Sequence, residues 1–146
     1  SPGTQKLMEE FLSAQGKWTV WITITFPDEV KVEYAKRKFK KFLKHLNEDY
    51  WFYDKFIHSF VFFELNPFRD GVHIHAIVDT ISPEHAWRIH KKCNRLFGKS
   101  EVKPMHSDVI RYVSEMFELG TLESFDFYKI NSRYRMKSKI NQEVQK

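Results

Sequence analysis

The chain has 146 residues, a formal net charge of +5, one cysteine and 16% aromatic residues. That length supports one domain with a real core and no need for metal or disulfide staples, and the lone Cys93 excludes an intrachain disulfide and a cysteine-built zinc site. No apolar run approaches the roughly 20 residues of a membrane span and no signal-peptide pattern is present, so a cytoplasmic protein without membrane contact is expected.

Excess positive charge with abundant aromatics suits a polyanion whose bases can stack, although many of those rings belong to the core. The charge is uneven: Lys31 to Asp49 carries seven Lys or Arg against three acids, Lys129 to Lys146 six against one, and Glu115 to Phe127 four acids and no base. Each block is first of all a solvated surface, and the basic ones are also candidate nucleic-acid contacts.

In chain order, Thr4 to Ala14 predicts a short helix with Thr4 as its cap and Gly16 as its stop. KWTVWITITF, Lys17 to Phe26, is β-branched and aromatic and reads as a strand ended by Pro27. Val32 to Asn47 places Val32, Ala35, Phe39, Phe42, Leu43 and Leu46 at helical spacing with lysines on the wet face. His58 to Leu65 and Val72 to Asp79 are strands joined by the turn Asn66 to Gly71. Ser82-Pro83 opens a helix with Ala86, Ile89, Cys93 and Leu96 inward and Gly98 beyond its end. Glu101 to Met105 is a weaker strand, Ser107 caps a helix ending near Leu119 with Gly120 at the stop, and Phe125 to Ile130, with Tyr134 to Met136, completes the sheet. The embedded β-α-β-β-α-β run implies an α+β fold, a ferredoxin- or RRM-like antiparallel sheet with helices packed on it. One domain over residues 1–146 is expected, with an N-terminal helix within 1–16 and a basic tail or linker over 136–146.

The segment FFELNPFRDGVHIHAIVDT carries the chemistry. Strand alternation puts His73 and His75 side by side on one face and Ile74 and Ala76 on the other. An H-x-H pair alone is more often two ordinary half-buried histidines. Here the hairpin folds Glu64 back toward both, and the apolar flanks make unpaired polar groups costly. Two imidazoles and one carboxylate leave open positions for water or a phosphate oxygen, which a closed structural site would not. The mixed donors suit Mn²⁺ or Mg²⁺ and would also take Zn²⁺, Co²⁺ or Ni²⁺.

In SDVIRYVSEMFELG, Val109, Val113 and Met116, with Ile110 and Phe117, pack the helix on the sheet, and Tyr112 lies on that same broad side. Tyrosine, with a pKa near ~10, is a poor nucleophile at neutral pH unless a cation polarises the phosphate and favours the phenolate. A metal on the sheet and a tyrosine reaching in from a helix are the parts of a phosphoryl transfer to tyrosine.

With these motifs the chain resembles the HUH endonuclease superfamily, specifically the Rep nucleases that initiate rolling-circle replication of plasmids and small viruses. WITITFP is similar to the first family motif, which implies that Thr23 and Thr25 help shape a DNA site. FELNPFRDGVHIHAIV is similar to the second, with Glu64, His73 and His75 as metal ligands, and IRYVSEM to the third, with Tyr112 as the residue linked to the DNA 5′ phosphate. One departure concerns mechanism: Rep proteins commonly carry a lysine one turn after the tyrosine, where this chain has Glu115. Either Arg111, Lys129, Arg133 or another base supplies the positive charge, or Glu115 touches the metal or a water, or activity is weaker than is usual for the family. Met116 stands where a second tyrosine would be, so a single-tyrosine enzyme is implied.

The resemblance therefore implies a Mn²⁺- or Mg²⁺-dependent, sequence-specific nickase and strand transferase acting on single-stranded origin DNA. Arg69, Lys129, Arg133 and Arg135 are candidate grips on the strand, and the basic end reads as a tail, a DNA contact or a linker toward a helicase or primase domain, with a host or replicon helicase as partner. The alternatives are a single-strand transposase or relaxase of the same superfamily, a non-catalytic single-strand nucleic-acid binding module, and, most distantly, a non-haem iron oxygenase.

Overall fold

The structure, a computed structural model, describes residues 2–15, 17–48, 56–79 and 86–131. Along the chain run α1 (Pro2–Gln15), β1 (Trp18–Ile24), α2 (Val32–Glu48), β2 (Phe56–Leu65), β3 (Val72–Asp79), α3 (Ala86–Phe97), β4 (Ser100–Pro104), α4 (Asp108–Leu119) and β5 (Leu122–Asn131). The strands form one antiparallel sheet in the order β4-β1-β3-β2-β5. Its first four places are the ferredoxin-like arrangement, and β5 extends the sheet beyond β2.

Strand alternation divides the core into two layers. Val20, Ile22 and Ile24 of β1, Val61 and Phe63 of β2, and Ile74, Ala76 and Val78 of β3 face α2 and α3, where Phe39, Phe42, Leu43, Leu46, Ile89, Cys93 and Phe97 meet them. The intervening residues Trp21, Phe60, Phe62 and Ile77 face Leu12 of α1 and Val109, Val113 and Met116 of α4. The helical spacing read in α2, α3 and α4 is largely the spacing of buried side chains, but Ala86 and Leu96 are only half-buried, Phe97 takes the inward place at the end of α3, and Phe117 of α4 is exposed.

Some boundaries differ from expectation for local reasons. The helix α1 begins at Pro2, which puts Thr4 inside the first turn and removes its capping role. Ser107 precedes α4 but is already helical, at φ −61° and ψ −30°, and its side chain makes no capping bond; a capping residue needs an extended backbone to turn its oxygen toward the helix. The Val109 N–H bonds to the His106 carbonyl instead. At the other end, Gly120 adopts the left-handed conformation, φ 69°, that the glycine stop implied. β5 starts at Leu122, earlier than Phe125, because Leu122 and Ser124 pair with Glu64 and Phe63 across an irregularity in register. Gly16, the Ser82-Pro83 opening, the Tyr134 to Met136 strand and the basic end lie outside the described residues.

The turn between β2 and β3 is pinned by a close backbone contact. Gly71, at φ +89°, approaches the backbone of Val30 so closely that a Cβ would lie 2.7 Å from its carbonyl oxygen. Only glycine allows that approach. The neighbouring Val72 N–H bonds to the same carbonyl at 3.0 Å, which ties the turn to the segment before α2. No helix among the described residues is long and apolar enough to cross a membrane.

Candidate active site

Register alone brings the predicted ligands together. Glu64 and His73 are direct cross-strand partners in the hairpin, and His75 is opposite Phe62, one diagonal away on the same face. Glu64 Oε1 is 2.8 Å from His73 Nε2 and 3.1 Å from His75 Nε2. Ligand atoms from all three lie within 4.8 Å of one another. Glu64 and His75 are buried, with 9% and 5% of their surfaces exposed.

The helix α4 supplies the fourth member. Its buried Val109, Val113 and Met116 clamp it over Trp21, Phe60 and Phe62, and Tyr112 reaches the cluster from there. The phenol donates to Glu64 Oε1 at 2.9 Å and lies 3.2 Å from His75 Nε2. Trp21 fixes the neighbouring ring from the other side: it stacks on His75 at 5.2 Å with the planes 6° apart, and presents its edge to Tyr112.

Each candidate ligand has a partner of its own behind it. Asn66 Oδ1 faces His73 Nδ1 at 3.0 Å, Thr23 Oγ1 is 3.2 Å from His75 Nδ1, and Thr121 Oγ1 donates to Glu64 Oε2 at 2.8 Å. Such contacts aim the remaining lone pairs at a common point and fix the tautomers. Asn66 decides one of them. Its Nδ2 donates to the Asp70 carbonyl at 3.0 Å, which turns the amide oxygen toward His73. An amide oxygen only accepts, so the His73 proton sits on Nδ1, and a neutral ring then aims the Nε2 lone pair at the Glu64 carboxylate. A lone pair facing a carboxylate oxygen at that distance calls for a cation, either a metal ion or a second proton on the ring. The two-nitrogen, one-oxygen donor set with its partners in place fits a divalent metal.

The electrostatics point the same way. Burial pushes the Glu64 carboxyl up, but its contacts with His73, His75, Thr121 and Tyr112 together outweigh it and hold the group well below the usual carboxylate range. Burial pushes His75 below the ordinary histidine value, only partly offset by Glu64, so its ring favours the neutral form a metal ligand needs. Tyr112 is driven well above the usual phenol value, first by burial, then by its bond to Glu64 and the charges of Glu64 and Glu115. Its phenolate is therefore disfavoured at neutral pH.

Two cavities flank the cluster and share Thr23 and His75. One, of about 260 Å³, is lined by Trp21, Tyr112, His106, Arg111 and Glu115; the other, of about 420 Å³, by Thr25, Asn66, Phe68, Arg69 and His73. Among the remaining candidates, Arg69 donates to the carbonyls of Phe26 and Pro27. Arg111 is exposed and 3.5 Å from Asp108. Lys129 pairs in register with His58, about 20 Å along β2 from Glu64. Arg133 and Arg135 lie outside the described residues.

Asn66, Thr121 and the stacked Trp21 escaped the sequence reading. Asn66 carried a faint signal as the first residue of the turn between two ligand-bearing strands. Thr121 carried none, since only the pairing of β5 with β2 brings it to Glu64.

No curated protein and no solved structure matches the chain. The family model described as Replication-associated protein ORF2/G2P matches residues 19–118, a span that holds Glu64, His73, His75 and Tyr112. That match is consistent with a Rep-type rolling-circle initiator domain of the HUH superfamily. It covers more than half of the sequence, and the chain belongs to the replication-associated protein ORF2/G2P family.

Proposed function

We propose that the protein is a metal-dependent endonuclease and strand transferase that nicks and rejoins single-stranded origin DNA in replication initiation. The observation that carries this reading is the convergence of a phenol and two imidazole nitrogens on one carboxylate oxygen, Glu64 Oε1. Family membership supports the replication role.

Glu64, His73 and His75 would hold the divalent ion, with Mn²⁺ or Mg²⁺ the expected metals. When bound, such an ion offsets negative charge and polarises a phosphate oxygen. Tyr112 is the nucleophile: its oxygen attacks the scissile phosphorus, the bond from phosphorus to the 3′ oxygen breaks, and the phenolic proton is lost as the 3′ oxygen leaves as a hydroxyl. The product is a 5′-phosphotyrosine, and attack by another 3′-hydroxyl reverses the step without an external energy source. Trp21 and the packing of α4 hold the phenol in place, so little orientation has to be found during reaction. Glu115 opposes phenolate formation, which leaves Arg111, on the same cavity, as the side chain best placed to counter it. Arg69, Thr23 and Thr25 border the second cavity and are proposed strand contacts, with Lys129, Arg133 and Arg135 as outer ones.

The test is a labelled single-stranded oligonucleotide from the cognate origin incubated with the protein and Mn²⁺, then run on a denaturing gel. A covalent adduct is expected with wild type and with neither Tyr112→Phe nor EDTA-treated protein. An adduct that persists in either control removes the assignment.

A further inference from the structure

Phe68 stands almost entirely in solvent, 98% exposed, and no large apolar side chain among the described residues is more so. A ring in that position usually sits on a loose loop, but this turn is tied down on every side. The Asn66 N–H bonds to the Gly71 carbonyl, the Asn66 amide to Asp70, Arg69 to the carbonyls of Phe26 and Pro27, and Gly71 rests against Val30. The scaffold fixes the turn from which the ring projects.

What it faces is the cavity of about 420 Å³ bordered by Thr25, Asn66, Arg69, His73 and His75. That volume admits a small ligand. Its accessible lining is mostly apolar, with Thr25, Asn66 and the two imidazoles as polar points and a fixed guanidinium beside the ring. An apolar protein partner would want a contiguous greasy patch, whereas a flat aromatic face beside a cation matches a base and its phosphate.

We infer that Phe68 is a stacking platform for one unpaired nucleobase, that of the nucleotide adjoining the phosphate held at Glu64, His73 and His75. This rests on the single-stranded DNA function proposed for the same site. Stacking there fixes the nucleotide through its flat face and so positions the neighbouring phosphate, with Arg69 meeting the backbone. Because every base has a π face, the contact tolerates sequence and adds grip without readout. Asn66 links the platform to the metal site, since one side chain braces both the turn and His73.

The experiment compares wild-type Phe68 with Phe68→Ala, Phe68→Leu and Phe68→Trp, each in a Tyr112→Phe background that cuts no strand, for binding of fluorescein-labelled oligothymidylate in Mn²⁺. A second probe is a strand of abasic deoxyribose phosphates, which keeps the charge and removes the bases. Ala and Leu should raise Kd for oligothymidylate by roughly 5- to 100-fold, while Trp keeps it and shows quenched fluorescence on binding. All four proteins should bind the abasic strand alike and melt at the same temperature. Equal binding of oligothymidylate by wild type and Phe68→Ala overturns the platform while leaving the DNA reading standing, including where the Ala variant changes only oligomeric state. An equal loss on the abasic strand also overturns it, because the contact is then with the backbone. Failure of wild type to bind oligothymidylate at all sinks the single-stranded DNA reading and the platform with it.

Discussion

The two faces of the sheet are built from alternate residues of the same strands, yet they follow different rules. Toward α2 and α3, the side chains of β1, β2 and β3 are apolar apart from the buried Ser59 and meet a layer of phenylalanines and leucines, with the Cys93 thiol as a small filler. Toward α1 and α4, the aromatic layer of Trp21, Phe60 and Phe62 stops at one end, and Glu64, His73 and His75 continue the same face as a polar cluster. Labour is divided along one pleat. The first face supplies stability from a nearly all-apolar layer, with Ser59 bonded to the Phe60 carbonyl, and this lets the second hold carboxylate, imidazoles and phenol close together at the cost of their desolvation.

Variants on the two faces should therefore fail differently. The largest effect is expected at Tyr112→Phe, which removes one oxygen from the second face: adduct formation should fall by more than ~10³-fold with the melting temperature nearly unchanged, read from gel and calorimetry together. Next comes Phe39→Ala on the first face, where a fully buried ring is lost. Urea denaturation should show a loss of about 3–5 kcal/mol, while adduct yield per folded molecule stays constant. Should Phe39→Ala damage chemistry as much as stability, the faces are not independent.

Smaller effects should come from the residues behind the ligands. Asn66→Ala and Thr121→Val leave all three ligands in place but release their aim, and Mn²⁺ affinity by calorimetry should drop on the order of 10- to 100-fold. Unchanged affinity would mean that these contacts only decorate the site. The smallest effect belongs to Cys93, whose thiol burial pushes from 9.0 up to about 12. A folded value above the unfolded one stabilises the protein fully below pH 9.0 only in the sense that both states then keep the proton; as pH rises from 9.0 toward 12, unfolded chains ionise the thiol first and the folded state loses ground. Native protein at pH 9.0 should resist iodoacetamide while urea-unfolded protein is labelled readily, and labelling of the native form would show that this face is less closed than its packing implies.

Much of this was legible in the chain. VHIHAIV carries strand alternation so plainly that two histidines on one face follow directly, and the turn residues after Glu64 imply the hairpin that returns it to them. The helical spacing of α4 brought Tyr112 to the sheet side, and Gly120 marked its end. What stayed hidden depended on contacts between distant segments. Thr121 reaches Glu64 only because β5 pairs with β2 and not with β4, and no local pattern encodes that choice of neighbour. Leu122 was missed as a strand residue because the polar Glu123 and Ser124 hide the alternation. Ser107 misled for the opposite reason: the residue type suited a cap, but its backbone was already helical.

If the second face is a metal centre, Glu64, His73 and His75 hold a divalent cation beside the Tyr112 phenol, and anomalous scattering from a Mn²⁺-soaked crystal would reveal it. A manganese peak is expected, bonded to a Glu64 carboxylate oxygen and to Nε2 of both His73 and His75, on the side that Tyr112 faces. Manganese bound elsewhere, with this cluster keeping its internal hydrogen bonds in a protein that still nicks DNA, would contradict the assignment.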